Sequence, residues 1–77
     1  DEKSISIYPN PATDVIQFKN LEKEMKFEIV DMMGKKFMAG IVSSTKNQID
    51  VHDLPLGNYI INLISEKSNR KIKFTKQ

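Results

Sequence analysis

Along most of this chain apolar side chains recur at every second position, the period of a strand with one buried face, and no sustained helical period competes. Ile5 and Ile7 alternate with Ser4 and Ser6, predicting a first strand over 4–8. Ile16 and Phe18 alternate with Gln17 and Lys19, predicting a second over 14–19. Met25, Phe27 and Ile29 share a face against Lys26 and Glu28, although Val30 makes the polar face partly apolar. Phe37, Ala39 and Ile41 form a fourth set, with Met38 and Val42 blurring its two faces. Ile49 and Val51 mark a short fifth strand. Tyr59, Ile61 and Leu63 mark a sixth, and Ile72 and Phe74 a seventh between Lys71, Lys73 and Thr75. Residues 22–33 hold good helix formers, but Phe27, Ile29 and Val30 make a poor helical stripe and Gly34 follows closely, so strand is the better reading.

The separators carry turn chemistry. Residues 20–24 form a polar connection, and Gly34 sits where a tight hairpin needs positive φ. Residues 43–47 and 65–69 are polar loops, and the stretch from Asp53 through Leu54, Pro55 and Gly57 to Asn58 holds Pro and Gly at turn spacing. Seven short strands with turns at this spacing predict an all-β fold, an Ig-like antiparallel β-sandwich, without the Cys and Trp signature of antibody domains.

One interruption stands out. Pro9, Asn10 and Pro11 separate the first two strands, and neither proline can donate to a ladder. The local expectation is a stiff corner that ends strand one and carries the chain between sheets, with Asn10 or Thr13 closing the bend through a side-chain hydrogen bond to nearby backbone.

At 77 residues there is room for one core, and a domain this short buries only about 60% of its unfolded surface. The chain has no cysteine, so neither a disulfide framework nor a thiolate metal site helps. No apolar run approaches the roughly 18 residues of a membrane span, and no signal peptide or glycosylation sequon is seen. The net charge of +2 is unevenly spread. Residues 1–65 carry seven lysines against nine acidic residues, whereas residues 66–77 carry Lys67, Arg70, Lys71, Lys73 and Lys76 against Glu66 alone. On charge alone this reads as an edge strand whose lysines discourage edge-to-edge pairing.

Candidate chemistry is sparse. His52, the one histidine, stands between Asp50 and Asp53 without further groups at ligand spacing, so an exposed strand-end histidine is expected rather than a metal ligand or general base. No nucleophile-elbow, zinc-protease, phosphate-loop or dinucleotide motif occurs, and no cofactor is expected. Nucleic-acid binding is disfavoured because the basic strand has only the inward-alternating Phe74 as an aromatic neighbour. Sugar stacking would rest on Tyr8, since Tyr59 alternates with the core.

The order of motifs is more specific than any of them singly. The run from Tyr8 through Pro9, Asn10, Pro11, Ala12 and Thr13 to Asp14 lies between two alternating strands. It is followed by residues 29–35, ending in Gly34 and Lys35, by residues 53–61 with Leu54, Pro55, Gly57 and Tyr59, and by the lysine-rich 71–76. In this order the chain closely resembles, from about Ile5 to Lys76, the C-terminal sorting domain, type A, of type IX secretion substrates in Bacteroidetes. The resemblance implies a single non-catalytic β-sandwich domain over 1–77, with residues 1–4 the end of a linker from an upstream passenger. It implies export of that passenger through the periplasm and across the outer membrane to the cell surface or the medium. The implied partners are the outer-membrane translocon, its shuttle proteins and a sortase that commonly removes the domain.

Mapped onto this chain, the resemblance places recognition at Gly57 and Tyr59 in the penultimate strand and Lys71, Lys73 and Lys76 in the last. Pro9 and Pro11 match the family's proline motif. Gly57 also has a plain reading as a turn residue, and Tyr59 as an inward ring with its hydroxyl bonded at the sandwich end. Outward lysines on a terminal edge strand offer charge and free backbone groups to a partner, as in β-strand addition. The same edge is open to dimerisation by sheet extension. The rival expectations are an Ig-like accessory module that braces a secreted enzyme and a polysaccharide-binding module.

Overall fold

The computed structural model describes residues 5–77. Among these, seven strands form two antiparallel sheets and no helix occurs. The strands are β1 (Ser6–Tyr8), β2 (Val15–Lys19), β3 (Met25–Asp31), β4 (Lys36–Val42), β5 (Gln48–Asp50), β6 (Gly57–Ile64) and β7 (Asn69–Lys76). The first sheet has the order β1-β2-β5 and the second β4-β3-β6-β7. This is an Ig-like arrangement in which the fourth strand has joined the second sheet. The linker reading falls on residues 1–4, outside the described residues.

Alternation builds the core as expected in five of the strands. Ile16 and Phe18 of β2, Met25, Phe27 and Ile29 of β3, Ile49 of β5, Tyr59, Ile61 and Leu63 of β6, and Phe74 of β7 are all buried. Ile16, Ile29, Ile61, Leu63, Val42 and Val51 are the largest side chains fully withdrawn from solvent. Each such aliphatic residue contributes about 1.5–3 kcal/mol relative to exposure.

Strand β4 corrects the predicted face. Ala39 and Ile41 point outward, while Met38, Gly40 and Val42 pair with the inward Ile29, Phe27 and Met25. A β-bulge shifts the register between Ile29 and Val30, because Val30 pairs with Lys36 and skips Phe37. The extra residue lets Phe37 pack on the core beside Met38, which breaks strict alternation. Gly40 answers to close packing: a Cβ there would stand 2.9 Å from Cε2 of Phe27, whose ring lies across the glycine.

The connections also bury more than their polarity suggested. Leu21, inside the polar 20–24 link, and Leu54, in the 53–58 turn, are both core residues. The β3–β4 hairpin turns as predicted on Gly34 at φ 89°. Its loop is held by Asp31 Oδ1, which accepts hydrogen bonds from the Met33 and Lys35 amides at 2.9 Å each.

Candidate recognition site on the terminal strand

Strand β7 pairs along its whole length with β6 on one side, from Gly57 opposite Lys76 to Ile64 opposite Asn69. Among the described residues no other strand of the second sheet lies beyond it, so it is an edge there. Phe74, between Lys73 and Thr75, anchors the strand by stacking on Tyr59 with ring centroids 5.5 Å apart and planes at 23°. Phe37 meets the same tyrosine edge-on at 5.4 Å. Tyr59 therefore sits at the centre of an aromatic cluster beneath β7, and only 3% of it is exposed.

The turn before β6 fixes that tyrosine. Leu54 is buried and its amide donates to the Val51 carbonyl at 3.0 Å. The Tyr59 hydroxyl donates to the Pro55 carbonyl at 2.6 Å. This reach back over four residues is the tyrosine corner of Ig-like sandwiches, where a strand-F tyrosine closes the preceding turn. Gly57 enters β6 at φ 149°, a region closed to side-chain-bearing residues. Burial first, and then the Asp31 carboxylate, push the Tyr59 hydroxyl above its ordinary pKa of 10.0.

The proline segment does something other than the local corner expected of it. Strands β1 and β2 pair with each other, Ser6 opposite Lys19 through Tyr8 opposite Gln17, so residues 9–14 are the loop of a hairpin within one sheet. Tyr8–Pro9 and Asn10–Pro11 are both cis peptides. The loop then reaches across to the outer edge of β7 in the other sheet. The Ala12 amide donates to the Thr75 carbonyl at 2.8 Å, and the Gln77 amide donates to the Ala12 carbonyl at 2.8 Å. That is one rung of a parallel ladder, with Ala12 bridging Lys76. One step earlier the Asn10 side chain repeats the rung. Its Oδ1 accepts from the Thr75 amide at 3.0 Å and its Nδ2 donates to the Lys73 carbonyl at 3.4 Å. A carboxamide carries the same donor and acceptor as a peptide group, so Asn10 stands in for a strand residue.

The Asn10 bonds thus span 63 and 65 residues, not the few expected, and no bond of Thr13 closes the bend among the described contacts. Sequence reading named Ala12 and Thr75 only as members of the proline run and the last strand, and did not foresee that they meet. Ala12 is fully buried at the bridge. Thr75 also donates its hydroxyl to Asn58 Oδ1 at 2.9 Å. A small residue two places after an asparagine that is hemmed in by prolines was the available signal.

The three lysines part company. Lys71 and Lys73 are exposed, as expected. Lys76 is a correction: it is not an outward lysine but 7% exposed, because it shares the inward parity of Ile72 and Phe74 and lies between Gly57 and Ala12. The parity extends to the backbone. Lys73 and Thr75 turn their carbonyls, and Thr75 its amide, away from β6 toward Asn10 and Ala12. In an antiparallel ladder alternate residues face the same side, so Lys71 and Asn69 also present amide and carbonyl outward, as does the Lys73 amide. Among the described residues no strand covers these groups.

The other candidates stay at the surface. His52 Nδ1 lies 3.2 Å from Asp53 Oδ1 with both side chains largely exposed, and the His52 amide donates to Asp50 Oδ1 at 2.9 Å. Among the described residues no three potential metal ligands gather. The half-exposed Tyr8 donates its hydroxyl to Gln17 Oε1 at 3.2 Å across the β1–β2 pair. The model of one family, described as the secretion system C-terminal sorting domain, matches residues 6–77. A search of curated proteins finds no match.

Proposed function

We propose a mechanism of address reading from the premise that this chain belongs to the secretion system C-terminal sorting domain family, the sorting signal of type IX secretion. Membership implies interaction with the secretion machinery and export to the cell surface or the medium. In our reading the passenger is carried on the N-terminal side of the domain, crosses the periplasm, and is taken over the outer membrane by a translocon and its shuttle proteins. A surface sortase then removes the domain. The domain itself does no chemistry on the passenger. It supplies a folded surface, and the part read is the exposed face and edge at Lys71 and Lys73.

The observation that supports this assignment is the division along β7. Tyr59 and Phe74 are buried and Lys76 is largely withdrawn, so these side chains offer a partner little surface, while Lys71 and Lys73 combine exposed side chains with an edge that no described strand covers. Gly57, Tyr59 and Lys76 serve recognition by holding β7 in place.

A fluorescent passenger fused ahead of the domain tests the reading in a cell that carries the secretion system. Deleting residues 71–77 is a poor test, because it also removes Phe74 and Lys76 from the core. The K71E/K73E double variant is cleaner. Its passenger is expected to collect in the periplasm while the wild-type fusion reaches the surface or medium. Undiminished export of the K71E/K73E fusion overturns the role given to these lysines.

A further inference from the structure

We propose that the uncovered stretch of β7, residues 69–73, takes an extended acidic peptide segment, with carboxylates at alternate positions, as an added strand of the sheet. The inference rests on the recognition reading above for the source of that strand, a component of the export machinery. Four observations define its chemistry.

The stretch is short and has a fixed end. From the Lys73 carbonyl onward the edge is occupied by Asn10 and Ala12, so an incoming strand can pair only as far as the Lys73 amide. About five residues fit, a span of roughly 14 Å at strand rise.

Backbone and charge are offered by the same residues. Side chains alternate between faces and peptide groups alternate between edges with one period of two. Lys71 and Lys73 therefore point their free backbone groups at the newcomer and their ammonium groups along the outer face. Neither lysine forms an ion pair among the described residues. An added strand would place its own outer-face side chains about 5 Å from theirs, the distance at which opposite charges stabilise a cross-strand pair.

The prolines stop the sheet from growing over the covered half. Pro9 and Pro11 lack amide hydrogens, so the clasp that satisfies β7 offers a poor edge of its own. Strand addition is thereby confined to the lysine-bearing stretch.

A second copy is the wrong occupant. Antiparallel pairing of two β7 edges centred on Lys71 sets Lys71 against its own copy and brings both Lys73 residues onto the same face. Four like charges on one face oppose that dimer, so the edge that a neutral sequence would leave open to self-association selects an acidic partner instead.

The 77-residue chain, labelled for amide exchange, is titrated with the peptide Thr-Glu-Val-Glu-Val-Glu-Thr and with its lysine counterpart. The expected result is about tenfold slower exchange of the Lys71 and Lys73 amides with the acidic peptide only, lost progressively with added salt. In K71E/K73E the preference is expected to reverse, the lysine peptide now protecting positions 71 and 73. Protection by neither peptide, or equally by both, overturns the proposal. So does self-association through β7, or heparin displacing the acidic peptide while leaving these amides in fast exchange, which marks the lysines as a polyanion site. The export assay fails separately: a domain that binds the acidic peptide at 69–73 yet exports the K71E/K73E passenger contradicts the recognition reading and leaves the edge chemistry standing.

Discussion

Lys71 and Lys76 lie five positions apart on one strand of one sheet, and the molecule treats them in opposite ways. Around Lys76 the strand is enclosed: Gly57 pairs on one side, Ala12 bridges on the other, and Phe74 stacks on Tyr59 just before it. Around Lys71 the strand is paired on one side and, among the described residues, uncovered on the other. The difference originates at the far end of the chain, where the Asn10 carboxamide and the Ala12 peptide complete half an edge and leave the other half open. A basic strand is thus divided into a structural half and a presented half. Substitutions in the first should register in stability, and those in the second in partner choice.

The sharpest test of the enclosed half is Phe74→Ala. Losing a buried aromatic from the cluster with Tyr59 is expected to cost about 3–5 kcal/mol. Against the ~5–15 kcal/mol that holds a small domain together, that loss should leave a substantial unfolded population, visible as a large fall in the urea midpoint. An unchanged midpoint would mean that the end of β7 is not part of the core and would dissolve the contrast.

Tyr59→Phe keeps the ring stack and removes one hydrogen bond, the 2.6 Å contact to the Pro55 carbonyl. The expected loss at neutral pH is about 1–1.5 kcal/mol. The same hydroxyl provides a second readout. Because its pKa is raised in the fold, the folded state holds the proton more tightly than the unfolded chain does. Its contribution is then complete below the ordinary 10.0 and is lost as pH climbs from there through the folded value. A plot of unfolding free energy against pH should slope downward above that point for the wild type and more gently for Tyr59→Phe; parallel curves would show that the hydroxyl is not the group responsible.

Much of this was legible in the residues, and the failures have particular causes. The strands were readable because a sandwich imposes a period of two on every element with one buried face, and Tyr59, Ile61 and Leu63 obey it strictly. Strand β4 was misread because a bulge inserts Phe37 and reverses the parity that periodicity relies on. Lys76 was misread for another reason. Residue type outweighed parity, although its position two after Phe74 already put it on the inner face. Leu21 hid in a polar loop, where a single apolar plug gives no period at all. The Asn10 contacts were beyond reach, since nothing local indicates which of the chain's strand edges a loop will meet some 63 residues later. Only the resemblance links the proline run with the lysine strand, as landmarks in sequence; the fold makes them neighbours.

The clasp itself is probed by Asn10→Ala, which removes both side-chain bonds to β7. These contacts are solvent-exposed, so water replaces them in part and the stability cost should be about 0.5–1 kcal/mol. The more telling readout is amide exchange at Thr75, which should quicken toward the rate at Lys71 as the covered half of the edge comes to resemble the open half. If Thr75 exchange is unchanged, the asparagine does not cover the edge.

The smallest expected effect on stability belongs to K71E/K73E. Both side chains are exposed and neither is ion-paired among the described residues, so reversing them should change the unfolding free energy by no more than about 0.5 kcal/mol. A near-silent result in urea, set beside lost export of the passenger, separates presentation from scaffolding in one variant. If instead K71E/K73E unfolds easily, the two halves of β7 are mechanically alike and the lysines brace the sheet. If it is stable and exported, the open half is an edge that the secretion machinery does not read. The comparison between Lys71 and Lys76 keeps its meaning only if the variant that costs the fold least costs export most.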